Sequence, residues 1–284
     1  MPSNNKDTPD LPFFIYQFYR KQFTLTRSRQ KCSNEKYIYY LSHLIADYLQ
    51  KCRSNQSGYT KLFINKIFPL KTNPSDYKNR IITFNYDLII DRPLIDRGLS
   101  KRKIYFDRIV RKQSDGIKRS SSEKFMHPLM LKLHGSTNWR CTRDYFEQII
   151  GATVDPKIRI PIWSNDTNCP SPEEDESPLI IPPVPNKPIT RSSLFKMLWT
   201  TALEYLFEAK RIVIVGYSCP DTDVLGQALF TQFSNRSVED IIICDPNSSI
   251  FSKYYELMKG RVKANVRWRY YHSFYDFIDY ELSL

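Results

Sequence analysis

Glycine is scarce in this chain. Only 8 of 284 residues are glycine, and Gly58 is the only one before residue 97; average usage of about 7% would supply roughly twenty. A glycine-rich phosphate loop is therefore excluded from the first third. The six cysteines (Cys32, Cys52, Cys141, Cys169, Cys219, Cys244) form no Cys-x-x-Cys pair, which argues against a paired-thiol redox motif and a zinc ribbon. With no signal-peptide pattern ahead of them, they predict a reducing, cytoplasmic setting. No apolar run approaches the roughly 18 residues a membrane helix needs, and no internal repeat is found, so neither a membrane span nor a solenoid is expected.

What is present points to a folded protein with a sizeable core, since 41% of residues are hydrophobic and 14% aromatic. The net charge of +12 is concentrated. Residues 97–124 carry ten Lys/Arg against Asp107, Asp115 and Glu123, a net of +7, and a second basic run holds Lys259, Arg261, Lys263, Arg267 and Arg269. Such patches attract nucleic acid, anionic nucleotides or acidic partners. They equally describe a solvated loop and a solvated face, and no recognisable nucleic-acid-binding module accompanies them.

Residues 1–79 read as a helical N-terminal region: Tyr37, Tyr40, Leu41, Leu44, Ile45, Tyr48 and Leu49 recur at helical spacing, a shorter amphipathic stretch spans Leu62 to Ile67, and Pro69 and Pro74 end it. From residue 80 the pattern alternates. Strands are predicted at Arg80–Phe84, Leu129–His134, Arg211–Val215, Asp240–Cys244 and near Val266–Tyr271. Helices are predicted from near Leu88, with Asp87 as cap, and over Ser192–Glu208, Thr222–Phe233 and Ser249–Met258. This order implies an α/β class, with a doubly wound, mostly parallel, Rossmann-like sheet over residues 80–284. Two insertions interrupt it. One is basic and expected to be exposed (97–124). The other is proline-rich (156–188), with nine of the 18 prolines, and reads as a flap or an irregular excursion.

Three short motifs close apolar strands: Thr83-Phe84-Asn85-Tyr86-Asp87, Leu133-His134-Gly135-Ser136 and Val215-Gly216-Tyr217-Ser218. Open α/β sheets hold ligands at the C-terminal ends of their strands. Asn85 and Asp87 alternate around Tyr86 and are able to face one crevice, or else Asn85 shapes a turn and Asp87 caps a helix. His134 is placed to expose an imidazole at the sheet edge as a general base; His43, His127 and His272 carry the ordinary structural reading. Gly216 and Ser218 suit a pyrophosphate beside a helix N-terminus, or an ordinary strand-turn-helix junction. Asp221 and Asp223 offer oxygen ligands to magnesium, or cap the following helix. Asp245, before Pro246-Asn247, is placed to accept from ribose hydroxyls or to form a turn.

In this order the motifs resemble the sirtuin-like family of NAD-binding domains, over about Arg80 to Asn247. Leu179-Ile180-Ile181-Pro182-Pro183 with Asn186-Lys187 resembles the bacterial branch associated with NAD hydrolysis in antiphage defence, as distinct from the zinc-containing protein deacylases. The resemblance implies NAD as substrate or ligand, with Asn85 and His134 catalytic and Thr83, Asp87, Gly216, Ser218 and Asp245 around the nucleotide. It implies no zinc, since only Cys141 and Cys169 lie where the deacylases carry four cysteines. Partners implied are NAD or ADP-ribose, a second copy or a defence protein, with no membrane. The family's first strand and Gly-Ala-Gly-x-Ser loop have no counterpart before Asn85. Two groups of strands would then lack a shared neighbour, so the expectation is either a true start upstream of Met1 that supplies the loop or a degenerate nucleotide site. The alternative function is therefore a sensor or subunit that binds NAD or ADP-ribose without turnover.

Overall fold

The computed structural model describes residues 34–51, 58–69, 77–105, 128–142, 176–182 and 192–282. Its largest sheet among the described residues is parallel, with β5 (Arg211–Val215), β6 (Asp240–Cys244) and β7 (Arg267–Tyr271) in that spatial order. Helices separate these strands: α6 (Val224–Gln232) follows β5, α7 (Ser249–Met258) follows β6 and α8 (Phe274–Glu281) follows β7. The unbroken Ile241-Ile242-Ile243 run explains why β6 is central. A strand buried on both faces has no polar side to present. Ile241 and Ile243 enter the main core with Tyr254 and Met258 of α7, while Ile242 and Cys244 pack with Phe277 and Ile278 of α8. In β5 the burial alternates, with Ile212 and Ile214 inside and Val213 and Val215 at 37% and 40% exposure.

A second parallel pair is β1 (Ile81–Thr83) with β2 (Met130–Lys132), aligned Ile81 to Met130 and Thr83 to Lys132. Among the described residues it shares no hydrogen-bonded strand with β5-β6-β7. The α/β class with parallel strands and alternating helices is thus present, but these strands form small, split sheets and not one continuous sheet. Side chains bridge the two halves, because Leu131, Leu133, Ile212 and Ile241 belong to one apolar cluster. The helix α5 (Ser193–Glu208), capped where the Ser192 hydroxyl accepts from the Phe195 amide, adds Phe195, Leu198 and Ala202 to it.

Several elements differ from their sequence-based expectation. The strand predicted to run through His134 ends at Lys132, and after a turn β3 (Gly135–Thr142) begins, antiparallel to β4 (Glu176–Ile180). The β4 strand falls inside the stretch expected to be an irregular proline-rich insertion. Its Leu179 and Ile180 are fully buried, and burial of that apolar run outweighs the proline content around it. The basic insertion is exposed at Gly98 and Ser100 but not throughout: α4 (Lys101–Ile104) ends at Ile104, which is buried with the following Tyr105. Residues 106–127 and 143–175 lie outside the described residues. The helix expected near Leu88 is α3 (Asp91–Asp96), three residues later, because Asp87 forms a local turn instead of capping it.

The N-terminal helices pack onto these sheets. α1 (Asn34–Lys51) lies on β4, where the Ser42 hydroxyl donates to the Ile180 carbonyl at 3.0 Å. α2 (Gly58–Ile67) sets Phe63 edge-on to Phe274 of the segment forming α8. Among the described residues no helix is long and apolar enough to cross a membrane.

Candidate functional site

The chain leaving β1 is held rigidly. Thr83 Oγ1 accepts from the Asn85 amide at 3.1 Å, closing a small turn that leaves the Asn85 side chain exposed. The next carbonyl, that of Tyr86, accepts from the Thr137 amide at 3.0 Å and the Thr137 hydroxyl at 3.2 Å. The Tyr86 hydroxyl donates to the Ile181 carbonyl at 2.7 Å. Burial and then the nearby Asp223 charge push that phenol well above its ordinary value. Asp87 Oδ1 accepts from the Ile89 amide at 3.0 Å, and its carbonyl accepts from Lys132 Nζ. Asn85 thus meets solvent, and Asp87, half-buried, uses Oδ1 to hold its own turn.

His134 occupies the turn after β2 and is only 5% exposed, contrary to the expectation of an imidazole open at the sheet edge. Aromatic rings close around it. Phe84 lies edge-on at 5.7 Å, Trp199 at 5.9 Å and Tyr86 at 6.2 Å between centroids. Its Nε2 stands 4.0 Å from Asp223 Oδ2, which is ion-pair range but too long for a hydrogen bond. The following Gly135 has φ +84°, and a Cβ there would fall 2.0 Å from the Leu179 carbonyl oxygen. Glycine is required because β4 passes this close, with the Ile181 amide donating to the His134 carbonyl at 2.8 Å.

Asp223 links this histidine to the turn after β5. It caps α6, accepting from the Gly226 amide at 3.3 Å through Oδ1, while Oδ2 accepts from the Tyr217 hydroxyl at 2.9 Å. Gly226 is small for a reason: a Cβ there would meet the Tyr217 hydroxyl at 2.0 Å. Burial, then the Asp223 charge and hydrogen bond, hold the Tyr217 phenol far above its usual value. The Tyr217 ring in turn stacks on Phe84, so the three motif turns meet through Phe84, His134 and Tyr217.

The remaining expected residues are placed less centrally. Gly216 has φ +61° with open space where a Cβ would be, so the left-handed backbone calls for glycine there and close approach of a neighbour does not. Ser218 is exposed. Asp245 is buried and turned to its own loop, accepting from the Asn247 amide at 2.8 Å. Asp221 does not act with Asp223; it pairs at the surface with Lys253 at 2.9 Å and Gln227 at 3.0 Å, and Lys253 holds its carboxyl below the usual value. Among the described residues no group of three or more His, Cys, Asp or Glu could hold a metal ion. In the second basic run, Arg267 and Arg269, with Arg211, surround Asp240 at 2.9, 3.1 and 3.5 Å, so part of that charge is neutralised within the fold.

Two features escaped the sequence reading. One is the aromatic enclosure of His134. The other is a buried polar chain beneath the Asn85 turn: Lys132 pairs with Asp91 at 3.0 Å, Tyr105 donates to Asp91, Asn138 Nδ2 donates to Tyr105 at 3.4 Å and Ser136 donates to Asn138 at 2.6 Å. A lysine inside the apolar run Met130-Leu131-Lys132-Leu133 was the available signal, since a buried charge demands a partner. Comparison with protein-family models gives no match, and neither does comparison with curated proteins.

Proposed function

We propose that this chain is a sirtuin-like NAD hydrolase domain, as its three motifs imply. The observation that carries the reading is the convergence of the turns after β1, β2 and β5 on one point, through Phe84, His134 and Tyr217. In this reading the two parallel sheets are halves of a doubly wound, Rossmann-like arrangement, and the nucleotide lies across their C-terminal ends. The exposed Asn85 amide orients the attacking water or the ribose hydroxyls without adding charge. His134 takes the proton, the water oxygen bonds to the anomeric carbon, and nicotinamide leaves with the electron pair of its bond to ribose. Thr83, Gly216, Ser218 and Asp245 surround the nucleotide, and Asp87 shapes the turn beneath it.

One observation favours the alternative of a binding subunit without turnover. His134 is enclosed by rings and 5% exposed, so a substrate hydroxyl reaches it only if one of the surrounding rings gives way. Incubation of the chain with NAD separates the two. Release of nicotinamide is expected from the hydrolase; calorimetric binding without release supports the sensor, and a folded protein that neither binds nor cleaves NAD eliminates both.

A further inference from the structure

We propose that the N-terminal end of the β5-β6-β7 sheet is a binding face for the phosphate backbone of duplex nucleic acid, engaged without regard to base sequence. It lies at the opposite end of β5 from Gly216, about 16 Å away at about 3.3 Å per residue, so it does not rest on the hydrolase reading. The strand register builds it. Arg211, Asp240 and Arg267 are aligned partners at the first positions of the three parallel strands. Backbone bonds join the loops leading into those strands: the Glu239 amide donates to the Lys210 carbonyl at 2.7 Å, the Arg267 amide to the Glu239 carbonyl at 3.0 Å and the Asn235 amide to the Arg261 carbonyl at 2.9 Å.

The charge on this face is organised and in excess. Asp240 is buried beneath Arg211, Arg267 and Arg269, and one carboxylate balances only one of three guanidinium groups. The Arg267 and Arg211 side chains remain 71% and 49% exposed. Arg236, also exposed, is held beside them by donating to the Val262 carbonyl at 2.8 Å. Residues 208–211, 234–240 and 259–269 together carry eight Lys/Arg against Glu208, Glu239 and Asp240, a net of +5, which Glu256 on Lys259 and Glu281 on Arg269 lower to +3. Guanidinium forks match phosphate oxygens, and arginines already held in place lose less freedom on binding. Interfaces between proteins have an apolar centre, whereas the exposed positions of 234–240 and 259–267 are all polar, glycine or alanine. They also hold no aromatic ring for stacking on unpaired bases, so the face suits a duplex better than a single strand.

The test is fluorescence anisotropy of the full chain with a labelled mixed-sequence DNA duplex of about 30 base pairs, repeated over a range of salt. Binding is expected to weaken steeply as salt rises, because each phosphate neutralised releases counterions. Combining Lys210→Gln, Arg236→Gln and Lys263→Gln should weaken binding about tenfold or more at about 0.1 M salt and flatten the log–log salt slope by about 2–3. Lys61→Gln, Lys66→Gln and Lys196→Gln, which remove as much charge from exposed positions of α2 and α5, should leave most of the affinity. Thermal melts confirm that each variant is folded. If the first combination does not fold, its single changes are read instead, each expected to lower the slope by about one. No duplex binding by wild type, equal losses in the two combinations, or tighter binding of poly-glutamate than of the duplex overturns the proposal.

Discussion

Phe84 and Tyr217 stack face to face, with ring centroids 3.8 Å apart and planes within 6° of parallel. The two residues follow different sheets, β1 and β5, so this contact joins the halves at their C-terminal ends. Tyr217→Phe keeps the stack and removes the hydroxyl bond to Asp223, and is expected to cost about 0.5–1.5 kcal/mol. Phe84→Ala removes the stack and a half-buried ring, at roughly 2–3 kcal/mol, less than a fully buried phenylalanine. Urea unfolding measures both, and equal losses would mean that the stack contributes nothing of its own.

Asn85→Ala is the clean functional variant. Its side chain is exposed, so the melting temperature should stay within a degree or so of wild type while NAD turnover, in an active chain, falls by about two orders of magnitude or more. His134→Ala is not clean, since it empties a space among Phe84, Tyr86 and Trp199 and should lower the melting temperature as well. Thermal melts run beside the nicotinamide assay separate the two effects.

The glycines of two motifs should respond differently to alanine. Gly135→Ala sets a Cβ against the Leu179 carbonyl oxygen at 2.0 Å in addition to left-handed strain, and is expected to cost more than about 3 kcal/mol. Gly216→Ala meets open space and should lose only the left-handed penalty of about 1–2 kcal/mol. Comparable stability of the two variants would contradict the close passage of β4.

Lys132→Met leaves the buried Asp91 carboxylate without its ammonium and should cost about 3–5 kcal/mol. Adding Asp91→Leu should recover part of that loss, because the unpaired charge goes with it. A double-mutant cycle by chemical denaturation gives the coupling, and strict additivity of the two changes would rule out the pair as a unit.

Acid should act through Asp240. Its burial opposes ionisation, but the Arg267 hydrogen bond and the charges of Arg269, Arg267 and Arg211 prevail and hold the carboxyl below its usual value. A carboxyl whose folded pKa is depressed stabilises the fold above the unfolded value, about 3.9, and loses that contribution as pH falls through the folded value. The advantage of wild type over Asp240→Asn should therefore be full at pH 5 and shrink toward pH 2. A gap that does not change with pH would exclude the carboxylate as its source.

Much of the fold was legible in the residues because local pattern and tertiary burial agree. Arg211–Val215, Asp240–Cys244 and Ser249–Met258 fall where the apolar period predicts. The period failed where an element's reason for existing is a distant partner. β4 is a strand because β3 and α1 cover it, and no local signal at Glu176–Ile180 names either. At the site, the chain itself determined which residues stand at strand ends: Asn85, His134 and Gly216 follow β1, β2 and β5 because an apolar run must stop where polar residues and glycine begin. Their environments were decided in three dimensions. Nothing within the His134 motif shows that Phe84, Trp199 and Asp223, from 50 residues before to 89 after it, close over the ring. Burial and electrostatic pairing depend on distances between segments that the chain order leaves open, and only packing of the two sheets against a shared core sets them.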